Sequence, residues 1–353
     1  MVLIEVMLNM LPNIVAATPL SPLGVARRLL VIAEGFEKRS LSWIQYQPPS
    51  QLFSQSIICK YEPEQVGQLE EVLAEVSIRS TLKPIVIDYN RFNPSPFEQK
   101  FSSILDYNNF DEIVIDISVM SKLLIMIVFH SLQQFRGNIR VVYTEPKTWS
   151  PSVEEYAAYI KKHEESMTYA GLSSIGVFDV VKTPGLSSIV MQGSQSKLIT
   201  FTSSNEHLLA ATLNEIVPSK TVLINAKNER EPWRAEAALK IHQKVIENYG
   251  INDKVECINL LDYRAVFAFL ADEYRKDCYT HRMVIAPTGG KIHTIACALI
   301  KNCCSDIHIE YPTPEGYILE SYSSKEIEGI HEIIFPRFKD LIVELRSKYN
   351  LDG

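Results

Sequence analysis

The sequence has no surplus of basic residues. Its 353 residues hold 35 Lys and Arg against 42 Asp and Glu, for a formal net charge of −7. That balance excludes broad, sequence-blind binding to duplex nucleic acid, which needs a basic face. It leaves room for a small anionic ligand held by a few local donors. The six cysteines, Cys59, Cys257, Cys278, Cys297, Cys303 and Cys304, form no CxxC pair, and none has a histidine spacing that suits zinc. Five of the six fall in the C-terminal half, so they do not staple the whole chain. Reduced thiols serving as core filler are expected, with no bound metal and no cofactor. HExxH, GxSxG and GxxxxGK[ST] are all missing. The chain therefore offers no metalloprotease helix, no nucleophile elbow and no Walker phosphate loop.

Long uncharged apolar runs are also missing after the first 24 residues. That opening stretch carries only Glu5 as a charge and is interrupted by Pro12, Pro19 and Pro22. A signal peptide begins with basic residues, and a membrane span needs an unbroken apolar run. The stretch reads as a docking segment or an over-extended start, not as an anchor. With 46% hydrophobic and 22% charged residues, the expectation is a soluble cytoplasmic protein of two domains.

What is present is an alternation of short apolar runs with amphipathic stretches. Strands are expected at Leu29–Ala33, Ser56–Tyr61, Pro84–Asp88, Glu112–Ile117 and Asn138–Tyr143, with helices such as Glu64–Val76 and Met120–Gln134 between them. A second series follows at Lys197–Thr202, Thr221–Asn225, Lys254–Ile258, Arg282–Ala286 and Asp306–Tyr311. Its helices are expected at Glu206–Ile216, Arg234–Tyr249, Tyr263–Tyr274 and Lys291–Lys301. Apolar strands without clean alternation are buried on both faces, which with intervening helices implies an α/β fold on mainly parallel sheets.

The two series run in step. VIDISVMSKLLIMIVFHSLQQFRGNIRVVYTEP (114–146) lies beside VIAPTGGKIHTIACALIKNCCSDIHIEYPTP (284–314). Lys122 matches Lys291 at an offset of 169, and Tyr143 matches Tyr311 at 168. The first strands follow suit, with VIAEGFEKRS (31–40) beside TFTSSNEHLL (200–209). Two tandem Rossmann-like domains related by internal duplication are expected. They would occupy 1–150, with the docking segment, and 195–353, with the strand candidate Ile330–Phe335 and a last helix. A helix at Ser152–Met167 and a Gly/Ser-rich connector fill 151–194. GLSSI occurs there at 171 and again at 185, as two short strands or by chance.

In open α/β sheets ligands bind beyond the carboxyl ends of the strands, where helix N-termini favour anions. PTGGK stands at such a place. Thr288 offers a hydroxyl, Gly289 and Gly290 offer amides, and Lys291 offers a charge. The alternative is a plain strand-to-helix turn capped by Thr288. The counterpart DISVMSK supplies Asp116, Ser118, Ser121 and Lys122 without glycine, and either serine could be only an N-cap. After the first strands stand Gly35, Glu37, Lys38, Arg39 and Ser40, and then Ser203, Ser204, Asn205, Glu206 and His207. These suit base or ribose contacts, or else capping boxes such as Ser203 with Glu206. The loop charges Lys60–Glu62 and Lys227–Arg230 read as solvated. His293, beside the glycines, could be a general base or a phosphate contact, or a helix histidine of no special role. Trp149 and Trp233 could stack on a base.

A strand ending in TGG, then a lysine and a helix, resembles the CARF domain, the CRISPR-associated Rossmann fold, and the related SAVED domain. The resemblance implies a cyclic oligonucleotide ligand in antiviral defence, held at the carboxyl edges of both sheets. The positions it carries over are Thr288, Gly289, Gly290 and Lys291, with Ser118, Ser121 and Lys122 as partners. It implies a sensor or adaptor that acts through an effector protein or by weak ring cleavage. Two other readings stand beside it: a Rossmann-fold enzyme acting on a nucleotide or phosphosugar, and a protein–protein scaffold with a vestigial site.

Overall fold

The structure, a computed structural model, describes residues 10–24, 26–63, 67–104, 109–166, 172, 174–251, 255–318 and 326–351. The chain begins β1 (Val15–Ala16), β2 (Arg28–Ala33), α1 (Ser42–Tyr46), β3 (Gln55–Glu62), α2 (Leu69–Arg79) and β4 (Ile85–Asn90). It continues α3 (Ser95–Ile104), β5 (Glu112–Asp116), α4 (Lys122–Ser131) and β6 (Asn138–Pro146). Next come α5 (Val153–Ser166), β7 (Ser174–Ile175), β8 (Asp179–Val181), β9 (Ser196–Phe201), α6 (Glu206–Ile216), β10 (Lys220–Lys227) and α7 (Trp233–Asn248). Then follow β11 (Val255–Asn259), α8 (Tyr263–Asp277), β12 (Arg282–Ala286), α9 (Lys291–Cys303), β13 (His308–Ile309), β14 (Tyr311–Thr313) and β15 (Gly316–Tyr317). The last elements are β16 (Ile327–Phe335) and α10 (Phe338–Lys348).

Two compact units result. One is built on Asn9–Trp149 with Ser323–Glu344, the other on Ser150–Tyr322 with Leu345–Gly353. The first carries a sheet ordered β1-β16-β6-β5-β2-β3-β4, in which β6 through β4 are parallel. The second carries a parallel sheet ordered β11-β10-β9-β12-β13. In chain order within each unit, both parallel sets run 3-2-1-4-5. The sequence explains why. RLLVIA of β2 is buried from Leu29 to Ala33, and ITF of β9 is equally enclosed. Strands without a wet face occupy sheet centres with helices on both sides. Trp43, Ile44, Val72 and Val76 cover one face of the first sheet, and Leu209, Leu213 and Val245 pack in the core of the second.

Register refines the repeat. Val31 pairs with Ile115 in the first sheet, and Ile199 pairs with Ile285 in the second. Val31 therefore corresponds to Ile199, one residue earlier than the alignment of Val31 with Thr200 drawn from sequence.

Four expectations change. The strand Asp306–Tyr311 is two elements: β13 pairs with β12, and β14 pairs antiparallel with β8. Between them the Glu310 N–H bonds the Ile285 carbonyl. The C-terminal strand does not join the second sheet. It pairs antiparallel with β6 from Asn138's neighbour Ile139 to Pro146, because β6 would otherwise expose a long apolar edge. The second GLSSI copy lies in turns and irregular backbone, whereas Ser174 and Ile175 of the first form β7. The helix expected from Glu64 begins at Leu69, and residues 64–66, like the first nine of the chain, lie outside the described residues.

Phe335 stacks edge-on against Phe129 and Phe338, with centroids 6.4 and 6.1 Å away. Phe335→Ala is expected to cost about 3–5 kcal/mol. Denaturation followed through Trp43, buried in the first unit, should report the loss. A wild-type transition at Trp43 would contradict the role given to β16.

Candidate functional site

Strand order 3-2-1-4-5 makes strands 1 and 4 neighbours whose following helices leave in opposite directions, opening a crevice at their carboxyl ends. In the first unit the crevice lies between the loops after β2 and β5. In the second it lies between the loops after β9 and β12. The phosphate, base and ribose contacts expected from sequence fall in these four loops or the helix turns that follow, whereas Trp149 follows β6 and Trp233 starts the helix after β10.

The first crevice is largely satisfied by its own contacts. Arg39 is buried, which works against its charge, but Glu37 holds it through both oxygens at 2.7 and 2.9 Å and the net effect raises its pKa. Its Nη1 donates to the Thr144 carbonyl at 3.1 Å. Ser118 is fully buried; its hydroxyl donates to Asp116 and accepts the Thr144 N–H at 2.8 Å. Asp116 in this way caps its own turn. Ser121 is the N-cap of α4, accepting the Leu124 N–H at 3.2 Å. Gly35 is small because a Cβ there would stand 2.9 Å from Val119 Cβ. Lys122 differs from the rest. Burial pulls its pKa down to about 8, and it has no ion pair among the described residues. An anion beside it would stabilise its charged form.

In the second crevice Thr288 is also structural. Its buried hydroxyl donates to the Phe201 carbonyl at 2.6 Å and lies 3.2 Å from Thr200 Oγ1. Asn205, 1% exposed, caps α6 by accepting the His207 N–H at 3.0 Å and donates to Ser174 Oγ at 2.7 Å. The cap is thus Asn205, not Ser203, whose hydroxyl bonds Asn205 backbone instead. Ser204 is half-buried, and its carbonyl accepts the Leu172 N–H. His293 is fully buried and bonds the Asn259 carbonyl through Nε2 at 2.8 Å. A carbonyl only accepts, so Nε2 carries the proton. Burial also lowers the ring's pKa, so this histidine is a neutral strut.

The glycines divide. A Cβ on Gly289 would lie 2.9 Å from Cβ, Cγ and Cδ1 of Phe201. By register, Gly289 occupies the place of Val119 and Phe201 the place of Ala33. Each crevice thus has one glycine pressed by a side chain of the neighbouring loop, but at different positions: Gly35 lies under Val119, and Gly289 under Phe201. Gly289 is a packing glycine. Gly290 has φ −73°, open to any residue, and its Cβ would meet only the tip of the Leu260 side chain at 2.7 Å. It is the N-cap of α9 and provides no side-chain cap. Gly289, Gly290 and Lys291 are half-buried, so this helix start meets solvent.

Sequence reasoning missed how α5 bears on this edge. Tyr159 of α5 donates to Glu206 in the first turn of α6 at 3.4 Å. Tyr156 lies on Trp233, the first residue of α7, with centroids 5.6 Å apart and planes 39° apart. Arg234 covers Trp233 at 4.7 Å. The signal available in sequence was Ser152-x-x-Glu155, a reciprocal capping box with bonds of 3.2 and 2.7 Å. Trp149 is half-buried. Among the described residues no cluster suits a metal ion, and no helix is long and apolar enough to cross a membrane.

No protein-family model matches the chain, and no curated protein matches it. A Type III CRISPR defence DNA nuclease activated by cyclic oligoadenylate is similar over 80% of this chain and 65% of that one, at 10% identity and a TM-score of 0.45. This chain thus spans less than two thirds of the nuclease's length. A universal stress protein from Archaeoglobus fulgidus DSM 4304 is similar over 81% of this chain and 96% of that one, at 10% identity and a TM-score of 0.24. Both likenesses are distant, and the fold rests on the strand order itself.

Two outcomes follow from these contacts. Gly289→Ala should lower the melting temperature by pressing on Phe201, while Gly290→Ala should leave it nearly unchanged because Leu260 can turn aside. Equal melting temperatures for the two variants would contradict the division. Burial raises the Glu206 carboxyl to about 7, against the lowering effects of Tyr159 and Lys244. The folded chain then binds a proton that the unfolded chain releases near pH 4.3. That contribution to stability is present below the unfolded value and is lost as pH rises through 7. Glu206→Gln should accordingly gain on wild type in melting temperature between pH 5 and pH 8. A constant difference across that range would reject it.

Proposed function

We infer that the second unit binds the phosphate of a nucleotide at the start of α9. The observation that carries this reading is the uncapped N-terminus at Gly290. Ser121 and Asn205 satisfy the starts of α4 and α6 with their own side chains, whereas α9 has no side-chain cap. The first N–H groups of a helix have no partner within it, and with the dipole they favour an anion. Lys291 at the first helical position adds a charge.

The resemblance of PTGGK to CARF and SAVED motifs supports a cyclic oligonucleotide as the ligand and a sensor or adaptor of antiviral defence as the role. The common strand order and near-constant register offset support an origin by duplication. In this reading the first crevice is a reduced half-site. Its glycine-free loop is closed by Ser118, Ser121 and the Arg39–Glu37 pair, and Lys122 is the residue of that loop suited to an anion. An enzyme on this scaffold finds less support, because His293 is a buried strut and no acid–base pair stands beside the glycines among the described residues.

Calorimetric titration with cyclic and linear oligoadenylates and oligoguanylates tests the reading. Lys291→Ala should weaken binding by about one to two orders of magnitude, the worth of a charge-assisted contact of roughly 1.5–3 kcal/mol. Lys122→Ala should have a smaller effect. Wild-type affinity in the Lys291→Ala protein would move the ligand elsewhere, and no binding by the wild type would remove the sensor reading.

A further inference from the structure

Helix α5 is attached unlike the helices of the cores. None of its residues 153–162 is buried, whereas α9 buries every residue from Ile292 to Cys303. Its own capping box and first-turn Glu154 and Glu155 form it locally. Contacts near its start tie it to the second unit. Tyr156 leans on Trp233, Tyr159 reaches Glu206 at 3.4 Å, and Arg234 donates to the Pro151 carbonyl at 2.7 Å. Each of these partners lies in the first turn of α6 or α7 or just before α5. Those two helices start at the carboxyl ends of β9 and β10, and β9 is flanked by β12, whose loop carries Gly290 and Lys291. Trp233 thus opens the helix that follows β10, and β10 and β12 are the two strands that flank β9.

Trp233 is half-buried and already bears the Arg234 guanidinium on its ring. The ring of Tyr156 is tilted 39° from it, a wedge and not a closed stack. A purine between them would meet two aromatic faces, and stacking of this kind is tolerant of base identity. We propose that α5 is a lid on the second carboxyl edge, which opens to admit a nucleobase between Tyr156 and Trp233 and closes on it. The proposal rests on the phosphate reading above.

The test uses the full chain labelled with 5-fluorotryptophan, whose three tryptophans, Trp43, Trp149 and Trp233, give separate fluorine resonances. Trp233→Phe assigns the third. The probes are a cyclic oligoadenylate and, without a base, ribose 5-phosphate. The Trp233 resonance should move with the adenylate and stay in place with ribose phosphate, while that of the buried Trp43 stays in place with both. Tyr156→Ala should weaken adenylate binding about tenfold or more, and Tyr156→Phe should bind as wild type, which separates stacking from a fold defect. If the adenylate binds with Lys291-dependent heat while the Trp233 resonance is unmoved and Tyr156→Ala binds normally, the lid is overturned and the phosphate site stands. If neither probe binds, both are overturned.

Discussion

The hydrogen bond from Thr288 to the Phe201 carbonyl, 2.6 Å long and buried, sets the shape of the second edge. It ties the end of strand 1 to the end of strand 4 at the point where the strand order forces the chain to diverge. With that tie in place, Phe201 lies under Gly289, and the loop meets solvent from Gly289 onward. His293 fastens the next turn of α9 to the Asn259 carbonyl and fixes the helix direction. Three loops are thus locked by neutral contacts, and none of the locking groups consumes the first amides of α9. In the first unit the corresponding serine, Ser118, bonds Thr144 on strand 5 instead, and Ser121 caps its own helix. One exchange of partners separates a crevice with an open helix start from one that is sealed.

The charges reinforce the contrast. At the first edge Arg39 is neutralised by Glu37 beside it, and its burial makes that pairing obligatory, since an unpaired buried guanidinium would be costly. Lys122 has no such partner among the described residues and gives up part of its basicity instead. At the second edge Lys291 is half-buried at the start of α9, where the helix dipole disfavours a cation. An anion held there would meet both the helix dipole and the lysine charge.

Much of this was legible in the sequence, for physical reasons. Runs such as LLVIA and MVIA have no polar face and so could only be central strands. The repeat was visible because the spacing between strand 4 and strand 5 changes by only two residues, from 26 between Val114 and Arg140 to 24 between Val284 and His308. What the sequence hid depended on partners distant along the chain. Thr288 and Ser118 looked like ligand donors because a free hydroxyl and a hydroxyl bonded to a distant carbonyl read alike. Gly289 looked like a ligand glycine because Phe201, 88 positions earlier, is what requires it. The strand expected at Ile330–Phe335 was grouped with the second domain because local pattern says that a strand exists but not which edge lacks a partner. The role of α5 was hidden because its contacts are few and its sequence is that of any solvated helix.

The central claim is that the open start of α9 takes a phosphate. Amide hydrogen exchange across residues 287–295, with and without a cyclic oligoadenylate, tests it most directly. The account predicts that the ligand slows exchange at the Gly290, Lys291 and Ile292 amides and leaves the start of α4 at Lys122–Leu124 much less affected, since Ser121 already caps it. Protection confined to another part of the chain, with these three amides exchanging as fast as in the free protein, would contradict it.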